Sequence, residues 1–190
     1  MTVAIGISRA DAWALLKEHV KGENMLKHCL ASEAVLRALA RRLGQDEEAW
    51  GMAGLLHDLD VELTGADLKV HGLKGADMLA ARGVSPDIVD AIRMHNEEAA
   101  GVKRATVFQK ALAAGETMTG LVTATTLVYP DKKLASVKPS SVVKRMKEKL
   151  FAASVDRDII RECEAIGIPL PEFAELAVGA MRAISADLGL

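Results

Sequence analysis

Apolar residues recur at helical spacing along nearly the whole chain. Ser8 is placed to cap a first helix that runs through Trp13 and Leu16 to about Val20. Asn24 is placed to cap a second, whose Leu26, Leu30, Val35, Leu36, Leu39 and Leu43 repeat at helical spacing until Gly44 stops it. The pattern predicts a short helix over about 46–59 and another over about 66–82, ended by Gly83. Ser85-Pro86-Asp87 offers a capping hydroxyl, a first-turn proline and an acid at the positive end of the dipole. It opens a helix carrying Ile88, Val89, Ile92 and His95. A long helix over about 103–128 ends at Tyr129-Pro130-Asp131, and helices over about 140–153, 156–165 and 171–188 follow. The Thr- and Val-rich run 121–128 is the one place where strand competes, and it reads as helix. The expectation is an all-α fold, a compact bundle of about eight or nine helices in one domain over 1–190.

Composition narrows the function classes. Half of the 190 residues are apolar but only 3 % are aromatic, so the core must be aliphatic. The net charge is −2 and the pI about 6.2, which supplies no broad basic field for nucleic acid. Lys138, Lys144, Arg145, Lys147 and Lys149 form a local basic run. Its ordinary reading is a wet helix face over an inward Val142, Val143, Met146 and Leu150; the sharper one is a wall over a phosphate. Cys29 and Cys163 lie far apart and read as buried thiols of a reducing compartment. MTVAIGISRADAW lacks a basic start and apolar core, and no stretch reaches the roughly 18 apolar residues of a membrane span. A cytoplasmic protein with no membrane contact is the expectation. The helix carrying Phe173, Leu176, Ala177, Ala180, Met181 and Ile184 closes the bundle or forms a homodimer face.

The histidines carry the chemical signal. Four of the five fall on apolar stripes of separate predicted helices. His28 shares a face with Val35 and Leu39, His57 with Trp50, Ala53 and Gly54, His71 with Gly75, Met78 and Leu79, and His95 with Ile88, Ala91 and Ile92. One inward imidazole is satisfied by a backbone partner; four on four helices call for a shared partner, and a metal ion is the simplest. Asp58 follows His57 directly, and Glu116 lies on the stripe of Phe108, Ala111 and Leu112. Buried carboxylates need such a cation. Four imidazoles and two carboxylates suit a pair of borderline or hard ions, with Mn, Fe or Zn more natural than Cu(I) or Ca.

The order His28, His57-Asp58 and then a distal acid resembles the HD superfamily of metal-dependent phosphohydrolases. LLHDLD (Leu55 to Asp60) is similar to its signature segment. HGLKGADML (His71 to Leu79) and VDAIRMHN (Val89 to Asn96) resemble the segments of members that hold two metals. AGETMTGL (Ala114 to Leu121) resembles the stretch bearing the last ligand, with Glu116 where the family has aspartate. The resemblance spans roughly 24–128, leaving a helical extension over about 139–190. It implies two divalent ions (Mn, Fe, Mg or Zn), with Asp58 bridging them and orienting a water. His28, His57 and Glu116 would complete one shell, and His71 and His95 the other. It further implies a small phosphorylated substrate, nucleotide-like, cleaved by attack of that water.

Lys74, one turn after His71, and Lys27, beside His28, are the candidate phosphate contacts, against the ordinary reading of solvated surface lysines. Glu62 is a weaker candidate general acid. Two other readings keep the same residues: a di-iron oxygenase on this ligand set, and a regulatory helical module without catalysis. The chain has no GxSxG elbow, no GxxxxGK[ST] loop, no CxxC and no GYP triplet.

Overall fold

A computed structural model describes residues 5–190, and among these it contains helices and turns but no strand. The first four residues, part of the N-terminal segment read above for a leader, lie outside it. The helices are α1 (Arg9–His19), α2 (Glu23–Leu43), α3 (Glu47–Leu56), α4 (Leu73–Ala80), α5 (Pro86–His95) and α6 (Glu97–Ala100). They continue as α7 (Val107–Leu127), α8 (Pro139–Arg145), α9 (Arg157–Ala165), α10 (Leu170–Ala183) and α11 (Ser185–Leu188), with a 3-10 turn over Leu134–Ser136. Among the described residues nine helices have seven residues or more, and α6 and α11 are single turns, as an all-α bundle of about nine requires. None is long and apolar enough to cross a membrane.

Local chemistry fixes most ends. Ser8 accepts the Asp11 amide and Asp46 the Ala49 amide, while Thr106 and Gln109 form a reciprocal capping box at the start of α7. Thr125 and Thr126 donate to the carbonyls of Leu121 and Val122 one turn back, so the β-branched run stays helical without stranded hydroxyls.

The two 21-residue helices, α2 and α7, pack on each other at the centre. α3 and α10 pack on α2, and α5 packs on α4 and α7. The core is aliphatic: Leu36, Leu39, Leu55, Leu56, Ile92 and Leu112 are fully buried. Gly54 sets how near α3 comes to α2, because a Cβ there would stand 2.6 Å from the Ser32 carbonyl oxygen. Backbone cannot swing aside as a side-chain tip can. Gly54→Ala is therefore expected to cost about 1–3 kcal/mol, read as a fall in the urea midpoint at unchanged m-value. An unchanged midpoint would show that the helices are free to part.

Several predicted boundaries move. The helix placed at 66–82 begins only at Leu73, and 57–72 is a chain of turns. Two facts hold it open: Gly72 has φ +89, outside helical space, and the Asp60 carboxylate takes the Gly72 and Gly75 amides. Gly22, not Asn24, stands at the head of α2. Ser85 precedes α5, yet its side chain makes no capping bond. The helix placed at 103–128 starts at the Thr106 box. The helix placed at 140–153 stops at Arg145 and gives way to successive turns, in which Arg157 donates to the carbonyls of Phe151, Ala152 and Val155. Val142 and Met146 face the core as expected, whereas Leu150, expected inward, is 96 % exposed. The last helix breaks at Ile184.

Candidate metal centre

His28 comes from α2, His57 and Asp58 from the turn closing α3, His71 from the turn before α4, and His95 from the last position of α5. Glu116 projects from the middle of α7. His57, Asp58, His71 and His95 are buried; His28 and Glu116 keep 23 % and 19 % of their side chains exposed and form the open side.

The four outward ring contacts decide what the inner atoms can do. His57 Nδ1 donates to the Gly54 carbonyl (2.9 Å) and His95 Nδ1 to the Ile92 carbonyl. His71 Nδ1 lies 2.7 Å from the Asp60 carboxylate. Thr119 spends its hydroxyl proton on the Glu116 carbonyl (2.7 Å), so its oxygen accepts from His28 Nδ1 (2.9 Å). With its Nδ1–H engaged outward, each ring in its neutral form turns an Nε2 lone pair inward. There, His28 Nε2 and His57 Nε2 stand 3.1 Å apart, and so do His71 Nε2 and His95 Nε2. Two lone pairs so close repel unless a cation, proton or metal, lies against them.

Asp58 joins the two pairs. Its Oδ2 lies 3.3 Å from His57 Nε2 and 3.5 Å from His28 Nε2; its Oδ1 lies 3.0 Å from His71 Nε2 and 3.7 Å from His95 Nε2. The structure thus brings together two groups able to hold a metal ion, His28–His57–Asp58 and Asp58–His71–His95, which share one carboxylate. Glu116 stands beside the first group, its nearest oxygen 3.7 Å from His28 Nε2.

Proton affinities divide along the same lines. Burial drives His28 down to about 4, with repulsion from His57 adding to it; burial and the charge of His57 do the same to His95. Burial also works against a charged His57, but the charge and hydrogen bond of Asp58 outweigh it and raise the pKa. For His71 burial is again opposed, now by Asp58 and Asp60 together, and the ring is pushed up to about 10. Each pair holds one ring drawn toward the protonated form and one driven from it. Burial lifts the Glu116 carboxyl to about 7.

Reading the sequence missed three supports. Asp60 has no exposed surface and orients His71; an acid two places beyond Asp58 inside an apolar run was its signal. Thr119 orients His28 from one turn beyond Glu116. Arg104, also buried, donates to the carbonyls of Met94 and His95 at the negative end of α5 and pairs with Glu162 of α9, steadying the helix end that presents His95. Of the other candidates, Lys27 lines a cavity beside His28 and pairs with Glu23 at 3.0 Å. Lys74 is exposed on α4 and makes no ion pair among the described residues. Glu62 accepts the amides of Lys21 and Gly22 through one oxygen, capping the start of α2.

Fold and site together define an all-helical domain built around a buried, shared-carboxylate metal-binding cluster. The HD domain model matches residues 25–121, just over half of the chain, and the chain belongs to that family. Among curated proteins it is similar to Ribonuclease Y of Oleidesulfovibrio alaskensis (34 % identical over 76 residues, 40 % of this chain and 15 % of that protein). It is also similar to Ribonuclease Y of Nitratidesulfovibrio vulgaris (38 % over 80 residues, 40 % and 15 %) and of Geotalea uraniireducens (33 % over 102 residues, 52 % and 18 %). The chain therefore spans under a fifth of these relatives' length. No solved structure matches it.

Proposed function

We propose that this chain hydrolyses a small phosphoester, nucleotide-like in size, at two divalent ions held by His28–His57–Asp58 and Asp58–His71–His95. The observation that carries this reading is the inward convergence of four Nε2 atoms around one carboxylate, a donor set that cations satisfy. Imidazole and carboxylate donors suit Mn, Fe, Zn or Mg. Bound ions would supply Lewis acidity, lowering the pKa of a coordinated water and offsetting charge on phosphate oxygens. The chain supplies the rest. Asp58 offers one oxygen to each group, and the Nδ1 partners hold the four rings in the ligating tautomer. Glu116 closes the open side near His28 and is positioned to complete that group. In the reaction the water oxygen joins phosphorus, the bond from phosphorus to the alcohol oxygen breaks, and the water proton ends on the alcohol. The relatives' name, ribonuclease, supports a phosphoester as the bond cleaved.

The test is phosphate release from nucleotides and aryl phosphates by protein reconstituted with Mn or Fe, alongside metal content by mass spectrometry. Release together with near two ions per chain supports the proposal. Oxygen uptake by the iron-loaded protein without phosphate release would favour an oxygenase, and no metal uptake would favour a non-catalytic module.

The same rings predict the pH dependence. A metal must displace the proton that His71 holds below about 10. Apparent metal affinity is expected to rise with pH, by up to about tenfold per unit for each proton displaced, and to flatten above that value. Titration in weak buffer at neutral pH is expected to release protons as metal binds. Binding without proton release would rule out a proton held on His71 at neutral pH.

A further inference from the structure

A cavity of about 590 Å³ lies between α2, α7 and the turn before α9, and it reaches the metal centre at His28. Lys27 and His28 face it from α2, Gly120 and Ala124 from α7, Val155 from the turn and Leu188 from α11. Val155 and Leu188 lie beyond the residues that the family model matches, so part of this wall belongs to the C-terminal extension. Among the described residues lining it, Lys27 is the single Lys, Arg, Asp or Glu, and there is no Phe, Tyr or Trp. A polynucleotide track needs cations along the backbone and aromatic faces for the bases. This lining has one cation and, apart from the His28 imidazole, no aromatic ring. Its size is that of a small-molecule pocket.

Resting on the phosphoester reading above, we propose that this cavity takes the alcohol side of the ester, one compact uncharged organic group up to the size of a nucleoside. Gly120 and Ala124 set the largest group it admits. The geometry is direct. His28 belongs both to the cavity wall and to a ligand group, so a phosphate at the metals would direct its organic substituent here. A Cβ on Gly120 would stand 3.3 Å from Val155 Cγ2, so α7 and the turn leave no slack at that point. Ala124 lies one helical turn further along the same wall, clear of Thr119 and its bond to His28.

Ala124→Leu is therefore the variant to make. Wild type and variant are compared on methyl, glycerol and aryl phosphates, a nucleoside monophosphate and an RNA oligonucleotide. Metal per chain is measured in both, and saturation-transfer NMR follows unphosphorylated adenosine on each metal-free protein. The expected result is unchanged metal content, with the kcat/KM ratio of nucleoside to methyl ester falling about tenfold or more. The adenosine signal is expected in the wild type and lost in the variant. If the wild type cleaves no ester while the adenosine signal still depends on Ala124, the pocket stands and the phosphoester reading falls. No adenosine signal in the wild type, an equal signal in both proteins, or RNA cleaved in preference to every small ester would overturn the assignment.

Discussion

Asp58→Ala is expected to yield a folded chain with near zero bound metal and hydrolysis reduced by ~10³-fold or more, the equivalent of several kcal/mol of lost charge stabilisation. The size of the effect follows from sharing. Each Asp58 oxygen serves a different histidine pair, so one substitution strips the carboxylate from both groups at once. The contrast with Glu116 is the control. Glu116 stands near His28 alone, at 3.7 Å, so Glu116→Ala is expected to weaken the His28–His57 group and leave the His71–His95 group loaded. Mass spectrometry of the two purified variants decides it, with circular dichroism confirming that both fold. Full activity in Asp58→Ala would end the mechanism proposed above, and equal metal loss in both variants would mean that Glu116 matters as much as the shared carboxylate.

The candidate ligands were legible because each breaks a pattern. His28, His57, His71 and His95 interrupt apolar stripes, and a polar ring in such a place asks for a partner. Helix existence was legible for the same reason, since the stripes are long. What escaped reading is what the tertiary structure decides. Asp60 interrupts an apolar run, but its role is decided only when the chain turns back and places Gly72, Gly75 and His71 around it. That convergence also explains why the helix expected from 66 starts at Leu73: the preceding residues are bent to bring His71 inward. Leu150 was expected inward by periodicity, but helical periodicity has no meaning once the chain has left helical geometry after Arg145. Lys74, the first candidate, and Lys27 had similar standing as sequence, and only packing separates the lysine on a cavity wall from the one in solvent.

Asp60 is the sharper test of how the centre is oriented, through a change of a single atom. Asp60 Oδ2 accepts the Gly72 and Gly75 amides at 2.9 and 2.7 Å, and Oδ1 meets His71 Nδ1 at 2.7 Å. In Asp60→Asn the amide oxygen must stay with the two backbone donors, because an amide nitrogen there would face two N–H groups. The amide nitrogen then faces His71 Nδ1 and donates to it. The ring must answer by moving its proton to Nε2, which blocks the lone pair aimed at Asp58. The expected result is a chain that keeps its fold and the His28–His57 group but loses the other ion, its affinity falling roughly 10–100-fold. Asp60→Ala, by contrast, leaves both glycine amides buried and unpaired and is expected to lower stability by about 2–4 kcal/mol. The pair of variants separates orientation from folding. Metal content near one ion per chain in a normally melting Asp60→Asn protein supports the tautomer argument. Two ions bound there with wild-type affinity would show that His71 ligates without its carboxylate partner.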